Sequence, residues 1–111
     1  MLITALTLMV AAQAADADAL RKAYSNCMVD VTIENLDNKV KERAFRNVAK
    51  DACPAERAAY IEAIVKDEME YDATQEEAQK YATEEADGII EAMAGGYGDM
   101  VASNTRPSKE D

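Results

Sequence analysis

No histidine occurs in the 111 residues. That removes the commonest general base, the Ser–His and Cys–His nucleophile pairs and the HExxH zinc site. There is no CxxC, so neither a thioredoxin-like redox pair nor a zinc knuckle is encoded, and no CxxCH for a covalent haem. Gly95-Gly96-Tyr97-Gly98 is the one glycine cluster, and it lacks the GK[ST] end of a phosphate loop. Tryptophan is absent and Phe45 is the only phenylalanine, so aromatic packing rests on Phe45 and five tyrosines. We therefore expect a protein that is not an enzyme, with no catalytic residues, no cofactor and no dedicated metal site.

What is present begins with an uncharged apolar stretch, residues 2–14, ending in Ala12-Gln13-Ala14. Its core fits the ~7–15 apolar residues of a secretory signal peptide. It is shorter than the ~20 residues that span a membrane. The stretch before it carries no Lys or Arg, which a signal peptide normally has. The competing reading is an ordinary core helix of a cytosolic protein. We expect a signal peptide at 1–14, a helical domain at 15–96, a disordered C-terminal tail at 97–111, and a periplasmic or secreted location.

Two cysteines then allow one internal bridge, Cys27–Cys53, against free thiols or a bridge between chains. In an oxidising compartment the internal bridge is the expected one, because a small exported domain with a thin core commonly needs a covalent staple.

Apolar residues recur at helical spacing throughout. Leu20, Tyr24, Cys27 and Val31 define a first helix over about 18–36, although Val29, Val31 and Ile33 also alternate like a strand. Ala44, Phe45, Val48 and Ala52 define a second helix over about 41–52. Pro54 suits the first turn of a third, with Ala58, Ile61, Val65 and Met69 as its stripe, widened by Tyr60 and Ile64. Thr74-Gln75-Glu76-Glu77 is a capping box. It opens a fourth helix lined by Ala78, Tyr81, Ala82, Ala86, Ile89 and Met93, which Gly95-Gly96 would end. Tyr60, Tyr71 and Tyr81 are expected to pack in or at the edge of the core. The predicted fold class is all-α, a small bundle of about four helices with one disulfide.

Charge is divided unevenly along the chain. Between Ala15 and Ile61 acids and bases balance. From Glu62 to Glu91 the acids are Glu62, Asp67, Glu68, Glu70, Asp72, Glu76, Glu77, Glu84, Glu85, Asp87 and Glu91, opposed only by Lys66 and Lys80. Nucleic acid is an unsuitable partner, because neutralising phosphates needs clustered Lys and Arg. Anionic membranes are disfavoured for the same reason. Neighbours such as Glu84-Glu85 or Asp67-Glu68 point about 100° apart on a helix and do not form a facing acid–base pair. Two trios, Asp67/Glu70/Asp72 and Glu84/Asp87/Glu91, are close enough in sequence to consider for calcium, but no twelve-residue EF-hand loop is present. A solvated acidic face that attracts a basic protein or loosely held cations is the expected use of these residues.

The Ala12-Gln13-Ala14 end, Tyr24-Ser25-Asn26-Cys27 and Ala52-Cys53-Pro54 together resemble the pattern of small uncharacterised exported bacterial proteins. Those have a signal peptide, a short helical mature domain and one cysteine pair. The resemblance implies export and a helical fold, and no activity. In outline the chain is also similar to periplasmic acid-stress chaperones, which are small, helical and single-disulfide. The expected function is thus a non-catalytic binding or structural role with an acidic face, and the alternative is an acid-responsive chaperone.

Overall fold

A computed structural model of the chain describes residues 16–111. The expected signal peptide and its Ala12-Gln13-Ala14 end lie outside the described residues. Four helices form: α1 Ala17–Asp37, α2 Glu42–Asp51, α3 Pro54–Glu70 and α4 Gln75–Ser103. No strand occurs among the described residues, and Val29, Val31 and Ile33 all lie within α1.

The path is up, back and up. α2 and α3 follow one another along a single return leg, and each packs against both α1 and α4. The break between them falls at Ala52-Cys53-Pro54. Proline disfavours a right-handed helical residue before it, and Cys53 adopts the left-handed conformation (φ 53°, ψ 50°) as the N-cap of α3. The Cys27–Cys53 disulfide forms, with 6.2 Å between the Cα atoms. It fastens the corner of the return leg to the middle of α1.

The larger core cluster gathers Tyr24, Met28, Phe45, Ala49, Cys53, Ala86, Ile90, Ala94 and Tyr97. A smaller one joins Tyr60, Ile64 and Ala82 near the start of α1. Ala78, Ala82, Ala86, Ile90 and Ala94 recur every fourth residue along α4, so its inner face is mostly methyl groups and neighbouring backbones approach closely. Apart from the tyrosine hydroxyls, Thr32 is the one fully buried polar side chain among the described residues, and its Oγ1 donates to the Met28 carbonyl at 2.7 Å. That bond removes the cost of burying an unpaired hydroxyl.

Helix ends explain one departure from the sequence-based expectation. α1, α3 and α4 each finish in a Schellman motif, with Lys39, Asp72 and Asn104 in the left-handed position. Val40 N–H reaches the Asn35 carbonyl at 3.0 Å, Ala73 that of Glu68 at 3.1 Å and Thr105 that of Met100 at 3.0 Å. The left-handed residue at the end of α1 is thus Lys39. None of these positions is glycine. All four glycines lie inside α4 and none has positive φ. Gly95-Gly96 therefore does not end the helix, and the expected boundary between residues 96 and 97 falls within it. Tertiary contact overrides the weak propensity. Tyr97 is fully buried, its ring stacks on Phe45 with centroids 4.2 Å apart, and its hydroxyl donates to the Val40 carbonyl.

A prediction follows from the open space around two of these glycines. A Cβ added at Gly88 or Gly95 meets no atom within 4 Å. Each Gly→Ala change should stabilise the fold by about 0.5–1 kcal/mol. The double variant should melt roughly 5–12 °C higher in a circular dichroism scan. An unchanged melting temperature would show that α4 is not helical there in solution.

Residues 104–111 are not helical, yet they are held. They run back along α1 through a series of polar contacts. Arg106 pairs with Asp37, Lys109 with Asp30 at 2.9 Å and Glu110 with Arg21 at 2.8 Å. The Asn26 side-chain amide donates to the Glu110 carbonyl at 2.9 Å and accepts from its N–H at 2.8 Å. The Glu110 carboxyl is held below its ordinary pKa, chiefly by hydrogen bonding to Arg21. Its contribution is thus complete above the unfolded-state pKa and is lost as pH falls through the lower folded value. We expect the strap to loosen from α1 as pH falls through this lowered value, beneath the ordinary carboxylate range, while global stability changes little because the pairs are exposed. Amide exchange at residues 105–111 against pH measures this, and Glu110→Gln should erase the step.

Candidate binding surface

The surface is built by the α3–α4 hairpin. Asp72 closes the end of α3, and Thr74 opens α4 by accepting from the Glu77 N–H at 3.2 Å. This Thr74 half of the expected capping box fixes a tight connection over residues 71–74. On either side, all the acids between Glu62 and Glu91 are exposed except Glu68, which is half-buried.

Two of these acids are spoken for. Asp87 pairs with Arg57 at 2.7 Å and Glu91 with Arg46 at 2.9 Å, each joining α4 to the return leg. The remaining nine make no ion pair among the described residues, nor do Lys66 and Lys80. The unbalanced charge is therefore concentrated around the hairpin. It extends outward by about one screening length, roughly 8–10 Å in ordinary salt.

Apolar and aromatic side chains share this surface. Tyr71 is 85 % exposed, Met69 46 % and Tyr81 44 %. This corrects the expectation that Tyr60, Tyr71 and Tyr81 all pack in or at the edge of the core, most plainly at Tyr71. Tyr60 does, with its ring 6.5 Å from that of Tyr24. Tyr71 belongs to the turn, and Tyr81 sits one residue off the Ala78–Ala82–Ala86 line that faces inward. Met69 likewise leaves the stripe expected for α3, which centres on Tyr60 and Ile64. Glu85 from α4, and more weakly Glu68 from α3, raise the pKa of the Tyr81 phenol by their negative charge. Glu85 is one helical turn from Tyr81 and legible in the sequence, whereas Glu68 is brought to it only by the packing of α3 on α4.

Other polar features are structural. Arg57 is mostly buried. Burial opposes its charge, but the neighbouring Tyr24 hydroxyl and the hydrogen bond to Asp87 outweigh this and leave its pKa above the ordinary value. Its Nη1 and the Tyr24 hydroxyl are both buried without a partner in full hydrogen-bonding geometry. Among the described residues, the one group compact enough to ligate an ion is Cys27, Cys53 and Glu56, and the disulfide occupies both sulfurs. The two trios considered for calcium are not gathered to ligating distance, and Asp87 and Glu91 already face arginines. A shallow cleft of about 720 Å³ borders the disulfide, between α1 and α2, with Asn35, Asn47, Val48 and Asp51 on its walls. No helix among the described residues is long and apolar enough to cross a membrane.

Comparison with family models, with curated proteins and with solved structures finds no match. The all-α architecture, the disulfide and the acidic hairpin define the class: a small disulfide-stapled helical domain with an unbalanced acidic face.

Proposed function

We propose that the protein is exported, is not an enzyme, and works as a binding domain that captures a basic protein segment on the α3–α4 hairpin. The observation that carries this is the coincidence of Met69, Tyr71 and Tyr81, all exposed, with nine carboxylates that have no cation of their own. Tyrosine and methionine are enriched at protein interfaces, and tyrosine supplies contact area at low entropic cost. The surrounding charge would select a Lys/Arg-rich partner and speed its approach. Export is supported by the disulfide, a bond that persists in oxidising compartments.

The test is fluorescence anisotropy with a Lys/Arg-rich amphipathic peptide and with its Glu-substituted counterpart. We expect binding of the basic peptide only, weakening severalfold as salt rises and at least tenfold in Tyr71→Ser/Tyr81→Ser. Equal binding of both peptides, or indifference to the tyrosine pair, would reject the reading. Mass spectrometry of the exported protein should give a mature N-terminus at Ala15.

A second reading, the acid-responsive chaperone, is favoured by the strap, whose contact with Arg21 of α1 is made by the Glu110 carboxylate that acid neutralises. Failure to suppress aggregation of a client protein at low pH would dismiss it.

A further inference from the structure

We infer that the cleft between the α1–α2 turn and the C-terminal end of α4 binds a small amphipathic anion, an apolar chain ending in a carboxylate. The cleft lies at the far end of α4 from the acidic hairpin and is independent of it. Its volume is about 590 Å³, within the roughly 300–1,000 Å³ of ordinary small-molecule sites.

The walls are aliphatic. Leu36 and Val40 line one side, and Met100 and Val101 the other. Val101 is 56 % exposed although it is a large apolar residue. Gly98 opens the floor. A Cβ there would stand 3.0 Å from a Glu42 carboxylate oxygen, so the missing side chain makes room for Glu42 beside the floor. No aromatic ring lines the cleft, which argues against a stacked base or nucleoside and for a flexible aliphatic body.

The rim is cationic. Lys39, Lys41 and Arg106 come from the turn, the N-cap of α2 and the strap. Arg106 pairs with Asp37, while Lys39 and Lys41 make no ion pair among the described residues. Glu42 is the single carboxylate in the lining, and it lies against Gly98 in the first turn of α2. Its position directs an anionic headgroup away from the floor and toward the lysines. In a chain of net charge −10 this rim is a local concentration of positive charge. Lys39 also stands at a left-handed position (φ 55°) where glycine is the easier residue. The lysine there places its charge at the mouth.

The experiment is calorimetric titration of the disulfide-bonded protein with decanoate below its micellar concentration. Decyltrimethylammonium tests the charge and acetate tests the chain. Expected is saturable one-to-one binding of decanoate, and at least tenfold weaker binding of the other two. Lys39→Gln/Lys41→Gln should weaken decanoate at least tenfold. Val101→Asp, at an exposed wall position, should abolish it without lowering the melting temperature. No saturable decanoate binding, equal binding of the cationic analogue, or affinity unmoved by both variants would overturn the inference. Decanoate taken up only in the presence of phospholipid vesicles would overturn it too, by assigning the effect to the membrane.

Discussion

Replacing Cys27 and Cys53 with serine is expected to remove about 3.5 kcal/mol of stability, from closure of a loop of roughly 27 residues. That is a large part of the ~5–15 kcal/mol typical of a whole domain. It corresponds to a fall of roughly 15–25 °C in melting temperature. The geometry places this loss well. The sulfurs link residues separated by 26 positions, and the loop between them holds the second half of α1 and the whole of α2. Without the link, the break at Ala52-Cys53-Pro54 is held only by packing, and residue 53 must still adopt positive φ. Serine is no better suited to that conformation than cysteine, so the strain stays while the constraint goes. Thermal scans of the oxidised protein, the reduced protein and the double variant should agree for the last two. A shift below about 5 °C, roughly 1 kcal/mol at this size, would show that packing alone fixes the corner.

The helices and the staple were legible in the sequence because both are written locally. Pro54 marks a helix start, Thr74 caps α4, and two cysteines in a small domain have one internal pairing. Which residue points inward was less legible. The spacing in α1 selected Leu20, Tyr24, Cys27 and Val31, but Tyr24, Met28, Val29 and Thr32 are the buried ones. α1 touches all three other helices, so its buried arc is wider than one stripe, and hydrophobicity alone does not locate its centre. A threonine there is counted as polar until its bond to the Met28 carbonyl is seen. In α2 the residues at the core are Phe45 and Ala49, while Val48 is 42 % exposed. A single phenylalanine outweighs a valine in choosing which face turns inward. The C-terminal end of α4 was misjudged for a physical reason as well. Glycine propensity is a local quantity, whereas Tyr97 is fixed by Phe45 and Val40, more than fifty residues away. The acids of the hairpin were legible as charge. The exposed tyrosines that give that charge a binding context were not, because only packing decides which tyrosine stays outside.

Phe45→Ala should cost about 3–5 kcal/mol, the range for removing a buried aromatic ring and leaving a cavity. The loss should be uneven. Phe45 and Ala49 are the only buried residues of α2, and its ten residues are too few for a stable helix in isolation. The disulfide still tethers the end of α2 to α1, and α3 keeps its own contacts through Tyr60 and Ile64. We therefore expect α2 to melt first, with amide protection over residues 43–51 falling well before that of α3. Tyr97→Phe separates the ring from the hydroxyl. It keeps the stack and leaves the Val40 carbonyl without its donor, for a cost of about 1–2 kcal/mol. Because the two rings touch, Phe45→Ala and Tyr97→Ala should not add. A double-mutant cycle should return a coupling of about 0.5–1.5 kcal/mol. Additivity would mean that the stacked pair is not formed in solution, and the anchoring of α4 beyond Gly95-Gly96 would then need another cause.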